Sequence, residues 1–584
     1  MTATALTPAR TGSSVLRSGA LMAAGSLVSR ATGFVRSAVV AAALGVGLVS
    51  DGYAVGNSVP TIVYMLLLGG ALNAVFVPEL VKAAKEHEDG GAAYTDRLLT
   101  VCVLALLALT AGAVLAAPAI VDAYTDYSGA QESTTVAFAR YCLPQIFFLG
   151  LFTLLGQVLN ARGRFGAMMW TPVLNNLVVI AVFALYLVTA TTGGGTLTGG
   201  ETALLGWGTT AGIALQALAL APSLRSAGFR WRPRFDWRGS GLTAPLRSAG
   251  WLVLLVLTNQ AAYWVTTRLA TAAGQRAGAG DGAGGFGFAA YNNAYLLWAV
   301  PHGIVTVSLV TALLPRMSGS AADGDLAGVR RDVSYALRTS AAGIVPAACA
   351  LFALAAPLMA TVFQYGRTDA DDVRAMSWIL MAFAPGLIAL SGQYVCTRAF
   401  YALRDTRTPF FLNLVIAGLN AGLSVTAYAL LPAHWAVAGM AAGYSTALWA
   451  GWALTAGALA RRLGSGTERT HPRALPALAR LLAAAVPAAG TGLLVADAVG
   501  PAGAVAADAA GALAVLGVFA LLARPLRLTE LQALLTGATG RLRRLARRRR
   551  PSSTPSRTEG SSSMRSTRGI WRVSQEGATP SPWG

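Results

Sequence analysis

The sequence is short of charge. Only 12% of its 584 residues are Asp, Glu, Lys or Arg, about half of the ~25% usual in a soluble globular protein. Cysteine is scarcer still. Cys102, Cys142, Cys349 and Cys396 all fall in apolar segments without CxxC spacing, which argues against a disulfide framework or a thiolate metal site and for small buried hydrophobes. The four histidines form no cluster, and no P-loop, nucleophile elbow or zinc signature is present. The chain therefore reads as no enzyme, with no cofactor and no metal. A cleavable leader is missing as well, because the first apolar segment is too long for one and lacks a cleavage site. Acidic residues deep inside the apolar segments are also lacking.

What is there is 55% hydrophobic. A bilayer-crossing helix needs ~20 mostly apolar residues, and that rule finds fourteen segments: 20–46, 55–81, 98–121, 136–160, 168–190, 202–222, 247–272, 288–314, 336–364, 376–402, 409–431, 434–460, 476–497 and 501–523. The expected fold class is an all-α polytopic membrane protein. With the N-terminus placed in the cytoplasm, 37 of the 45 Lys and Arg fall in inner loops and tails, and only Arg276, Arg367 and Arg374 in outer loops. Outer loops carry acids instead, among them Asp51, Asp122, Asp126 and Asp369. This is the positive-inside asymmetry. It predicts both termini in the cytoplasm, and it accounts for most of the +20 formal charge without nucleic acid.

Paired motifs suggest an internal repeat. "NARGRFGAMMWTPVLNN" at 160–176 matches "ALRDTRTPFFLNLVIAGLN" at 402–420, and "GGALNAVFVPEL" at 69–80 matches "VSLVTALLPRMS" at 307–318. Both offsets are near 240 residues. Six spans separate corresponding points, so the copies share one orientation, the parallel repeat of transporters with a site at the repeat interface. The expected organisation is a tail (1–19), a six-helix lobe (20–222), a basic cytoplasmic linker (223–246), a second six-helix lobe (247–460), two further spans (476–523) and an Arg/Ser-rich tail (541–584). The last is too polar to fold and is suited to anionic headgroups.

Five basic residues remain within or near spans: Arg30, Arg36, Arg140, Arg268 and Arg398. Arg140, Arg268 and Arg398 lie close enough to span ends to snorkel. Arg30 is ~15 Å along its span at 1.5 Å per residue. Ser29, Arg30, Gly33 and Arg36 form one polar strip that cannot face lipid at tolerable cost. With no deep carboxylate to pair them, the natural partner is an anionic ligand, for which a guanidinium fork suits phosphate oxygens. Asn259, Gln260, Asn292 and Asn293 offer either interhelical hydrogen bonds or cavity lining. A channel would need a ring of like charge, whereas this charge sits mainly on one helix, so a transporter of an anionic substrate fits better.

Together "SRATGFVRSAVVAAALGVGLVSDGYAVGNSVP", "GGALNAVFVPEL", "LNARGRFGAMMWTPVLNN", "VPHGIVTVSLVTALLPRMS" and "FYALRDTRTPF" resemble the MurJ/MviN family, lipid II flippases of the multidrug/oligosaccharidyl-lipid/polysaccharide exporter superfamily. The resemblance covers about residues 20–525. It implies a flippase that moves undecaprenyl-pyrophosphate-linked muropeptide from the inner to the outer leaflet of the bacterial plasma membrane for cell wall synthesis. It implies alternating access, a tail groove at spans 13 and 14, and coupling to membrane potential. Arg30, Arg36 and Ser29 would hold the pyrophosphate, and Asp51 would serve in gating or ion coupling. Two cavity arginines usual in the family are replaced by Tyr64 and Leu296, as in high-GC Gram-positive members; Tyr64 and Arg268 would then line the cavity, with Arg268 compensating for the lost charge. Cell-wall synthesis proteins are the expected partners. The alternatives are an exporter of another polyprenyl-linked or amphiphilic anion, or a non-transporting scaffold.

Overall fold

The computed structural model describes residues 12–65, 91–162, 164, 166–190, 197–236, 250–280, 286–464, 471–523 and 525–526. The inner part of the second expected span, residues 237–246 of the basic linker, the first residues of the second lobe and the Arg/Ser-rich tail lie outside the described residues.

Helix α1 (Gly12–Leu44) turns at Gly45 into α2 (Leu48–Tyr64). Next come α3 (Ala92–Leu115), the short α4 (Ala117–Tyr124), α5 (Gly129–Cys142) and α6 (Gln145–Ala161). Then follow α7 (Gly166–Thr189), α8 (Gly199–Leu218) and the short α9 (Ala221–Ser226). The second half opens with α10 (Gly250–Gly280) and α11 (Phe288–Pro301). A π-helical turn, His302–Thr306, joins α11 to α12 (Val307–Ala322). Beyond it lie α13 (Leu326–Ala353), α14 (Ala355–Phe363), α15 (Ala370–Phe383) and α16 (Gly386–Ala402). The chain continues through α17 (Arg407–Leu430), α18 (Ala433–Leu463), α19 (His471–Val499) and α20 (Ala504–Leu522).

Among the described residues ten helical stretches are long and apolar enough to cross a bilayer, or eleven if the bent pair α15–α16 counts as one span. Helices satisfy every backbone group internally, which hydrocarbon demands. The chain is an all-α, multi-pass membrane protein, as the hydropathy predicts.

The breaks within helices recur. Leu143-Pro144 separates α5 from α6, and Ala384-Pro385 separates α15 from α16 with a 44° bend. Proline lacks the N–H that would continue the ladder. The two prolines are 241 positions apart, close to the offset of the sequence motifs. Packing recurs too: α1 lies on α7 and α7 on α8, while α10 lies on α17 and α17 on α18.

Aromatic wedges fix each half. Tyr53 meets Phe138 and Phe183 edge-on at 5.4 and 5.3 Å, tying α2 to α5 and α7. Trp298, fully buried, stacks on Phe383 at 5.2 Å, tying α11 to α15. Cys142 and Cys396 are buried, and Cys102 and Cys349 half-buried, as small apolar side chains.

Small residues let the helices approach closely. A Cβ on Gly451 of α18 would sit 2.3 Å from Ile416 of α17, whereas one on Gly457 would meet nothing. Gly451→Val is therefore expected to destabilise the detergent-solubilised protein by about 1–3 kcal/mol through overpacking. Gly457→Val should leave the melting temperature nearly unchanged. Equal melting of the two variants would contradict this packing.

Candidate functional site

At one end of the bundle the two halves are stitched together through helix termini. Asp51, in the first turn of α2, is 1% exposed. Its Oδ1 accepts a hydrogen bond from the Ala289 N–H at 2.6 Å, and the Phe288 N–H also bonds to it. These are the first donors of α11, whose N-cap Gly287 supplies no side-chain cap of its own. The carboxylate thus sits at two helix N-termini at once, those of α2 and α11, where dipole and open N–H groups both favour an anion. The fit needs two glycines: a Cβ at Gly287 would overlap Asp51, and one at Gly274 would lie 2.9 Å from Oδ2.

A second stitch caps the end of α1. The Arg367 N–H donates to Ala42 O at 2.9 Å, and Thr368 Oγ1 to Ala41 O at 3.0 Å. The chain turns there at Gly366, with φ +61°, where any side chain would strike the Ala42 carbonyl.

The third stitch is a stripe on α10. Trp264 Nε1 donates to Ala123 O at 2.9 Å, Thr271 Oγ1 to Tyr124 O at 3.1 Å and Gln275 Nε2 to Asp126 O at 3.2 Å. Arg268 reaches the Asp122, Ala123 and Thr125 carbonyls at 2.8, 3.2 and 3.3 Å and pairs with Asp126 at 2.5 Å. These are the last carbonyls of α4, where a cation is favoured. Arg268 is thus a clasp at this closed end and not a lining residue beside Arg30.

The opposite end is basic. Arg97 pairs with Asp236 and holds its carboxyl below the ordinary carboxylate range. The Arg232 and Arg234 N–H groups donate to Asp96 and Thr100 on α3. Arg330 caps α18 through the Leu463 and Gly464 carbonyls.

Arg30 lies between these ends on an exposed face of α1. Its guanidinium reaches the second half: a Cβ on Gly303 would be 2.7 Å from Nη1. Gly303 lies in the π-helical turn, a widened geometry often found at functional positions. The turn is held by His302, whose Nδ1 is 3.0 Å from Ser391 Oγ and whose ring meets Tyr394 edge-on at 5.2 Å. Asn176 of α7 fixes the α1 strip, donating to Ser29 O and Thr32 Oγ1, both at 3.0 Å. Arg36 is half-buried, two turns nearer the closed end, and its charge acts on Tyr53. Among the described residues no ion pair forms at either guanidinium.

Of the other expected lining residues, three hold helices together. Tyr64 OH is 2.6 Å from Thr153 Oγ1, joining α2 to α6. Gln260 Nε2 donates to Ile62 O at 3.2 Å, joining α10 to α2. Asn259 Oδ1 accepts from Asn413 at 3.1 Å, joining α10 to α17. The interhelical reading of Gln260 and Asn259 prevails because each finds a partner within reach. Asn292 is exposed and Asn293 half-buried on α11. Gly303 and the π-helical turn escaped the sequence reading; the "VPHG" stretch, with Pro beside Gly in a span, was the available signal.

The family model described as "Lipid II flippase MurJ" matches residues 40–507. A Rhizobium meliloti protein named "Probable lipid II flippase MurJ" is 27% identical over 451 residues, 74% of this chain and 79% of that protein. The "Lipid II flippase MurJ" of Burkholderia cenocepacia is 28% identical over 392 residues, 66% and 72% of the two chains. Among solved structures, "Lipid II flippase MurJ, inward closed conformation" superposes with a TM-score of 0.66 at 16% identity, covering 87% of this chain and 99% of that one. An inward-facing multidrug resistance transporter of the MATE family and MOP superfamily gives 0.53 at 14% identity, over 75% and 95%.

Removing a helix cap costs roughly 0.5–2 kcal/mol. Asp51→Ala should therefore loosen the closed end. A cysteine replacing the buried Ala289 is expected to react with a membrane-impermeant maleimide about fivefold faster in the Asp51→Ala background, as ~1 kcal/mol implies. Unchanged labelling would show that the closed end does not depend on this cap.

Proposed function

The chain belongs to the MurJ family of lipid II flippases, and from that premise we propose that it carries lipid II across the bacterial plasma membrane by alternating access between two six-helix lobes, residues 20–222 and 247–460. The basic end faces the cytoplasm, by the positive-inside rule, and both termini lie there. The closed end then faces outward, with the substrate path sealed beyond Arg36.

The observation that carries the reading is the placement of Arg30. Its guanidinium has no carboxylate partner among the described residues and meets the second half at a π-helical turn. Arg30 and Arg36 would take the pyrophosphate, with Ser29 beside them. A pyrophosphate supplies the charge that a guanidinium at membrane depth otherwise lacks. The family match begins at residue 40, after both arginines, so their role rests on geometry and charge. Asn292 and Asn293 line the path on the second half.

Asp51 gates. While it caps α11 the outer end stays shut, and release of substrate outward requires that bond to break. Moving one charge across 100 mV is worth ~2.3 kcal/mol, enough to bias such an equilibrium. The Arg/Ser-rich tail rests on anionic headgroups, and proteins of wall synthesis are the natural neighbours.

Complementation tests this reading. The chain should sustain growth of a bacterium depleted of its own lipid II flippase. Each charge-assisted hydrogen bond is worth ~1.5–3 kcal/mol, so Arg30→Ala and Arg36→Ala should each weaken lipid II binding by about tenfold or more. The double variant should fail to complement while still inserting. Failure of the parent chain would refute the function. Full activity of the double variant would refute the site alone.

A further inference from the structure

A cavity of about 380 Å³ lies between α13, α16, α18 and the start of α19, and one of its lining residues, Ser391, is the partner of His302 in the π-helical turn. Its floor is α13, and the character of that floor changes along one stripe. Arg330, Ser334 and Arg338 come first, at i, i+4 and i+8, on one helix face. Ala341 and Ile344 follow on the same side. The walls are mostly apolar, with Ile388 and Cys396 of α16, Trp452 and Leu459 of α18 and Leu478 of α19, and further hydroxyls at Ser391 and, on the floor, Ser340.

Position along the membrane gives the stripe meaning. Arg330 sits at the basic end, where it caps α18 through the carbonyls of Leu463 and Gly464. Arg338 is two turns deeper, but its Nε donates back to Ser334 O at 3.4 Å, so the side chain runs towards the basic end. That is snorkelling. The Arg338 head is thus drawn one turn back towards the end that Arg330 occupies. From Arg330 to Ile344 the helix rises ~21 Å at 1.5 Å per residue. One leaflet, headgroup region included, is ~20–22 Å deep. The cavity is thus one leaflet deep, cationic at headgroup level and apolar below.

We propose that this cavity binds an anionic glycerophospholipid of the basic-end leaflet, with one acyl chain in the slot and the phosphate between Arg330 and Arg338. The charge selects an anionic lipid over a zwitterionic one. The depth selects an acyl chain that ends at mid-membrane. The site involves neither Arg30 nor Arg36, and it needs no transport to be occupied.

The test is native mass spectrometry of the full chain from nanodiscs of equal phosphatidylglycerol and phosphatidylcholine, with melting temperatures recorded alongside. The parent protein should retain phosphatidylglycerol in preference by about tenfold, the scale of one charge-assisted hydrogen bond. Arg338→Gln, which leaves the Arg330 cap of α18 in place, should remove most of that preference. Ala456→Phe, which fills the slot, should lower retention of both lipids while the fold persists. Equal retention of both lipids by the parent, an undiminished preference in Arg338→Gln, or a retained polyprenyl lipid would each overturn the proposal.

Discussion

A buried carboxylate is the joint at which the two halves meet most closely in this conformation. Asp51 has 1% of its surface exposed, in a place where an uncompensated charge would be expensive. The N-terminus of α11 supplies its N–H donors, and the dipoles of α2 and α11 both favour the charge in place of water. The arrangement is local and breakable. It uses a cap of ordinary strength, and so suits a joint that must open. The other stitches at the same end work alike, with backbone termini of one half satisfied by groups of the other: Arg367 and Thr368 on α1, and Arg268 with its neighbours on α4.

The closed end gives the arginine strip its meaning. Arg30 and Arg36 sit on a helix whose far end is capped by Arg367 and Thr368. Asn176 keeps the strip aimed by holding Ser29 and Thr32, and the missing side chain of Gly303 leaves the guanidinium its place.

Much of this was legible in the sequence. The all-α, multi-span class follows from hydropathy and composition, and the proline breaks at 144 and 385 stand at the same offset as the sequence motifs. That Arg30 and Arg36 stand within an apolar run was readable, and the structure puts Arg30 on an exposed face of α1 and Arg36 half-buried. The destination of Arg268 was not. Its partners are carbonyls at the end of α4, and a helix terminus carries no residue code for what will cap it. Asp51 read as a loop acid for the same reason: its partner is a backbone N–H 238 positions away. Tyr64, Gln260 and Asn259 are polar groups at membrane depth, and only tertiary placement separates a cavity wall from an interhelical bond.

The central claim is that the closed end must part for the substrate to leave. It is tested most directly by the distance between spin labels at Leu48 and Gly278, which are in contact across that end, with the Leu48 Cδ1 3.9 Å from a Cβ at position 278. Measured by electron–electron resonance in nanodiscs, the labels should give one short distance without substrate. A second, longer population should appear when lipid II is added under conditions that support transport. A single short distance in every condition, with transport proceeding, would contradict the account.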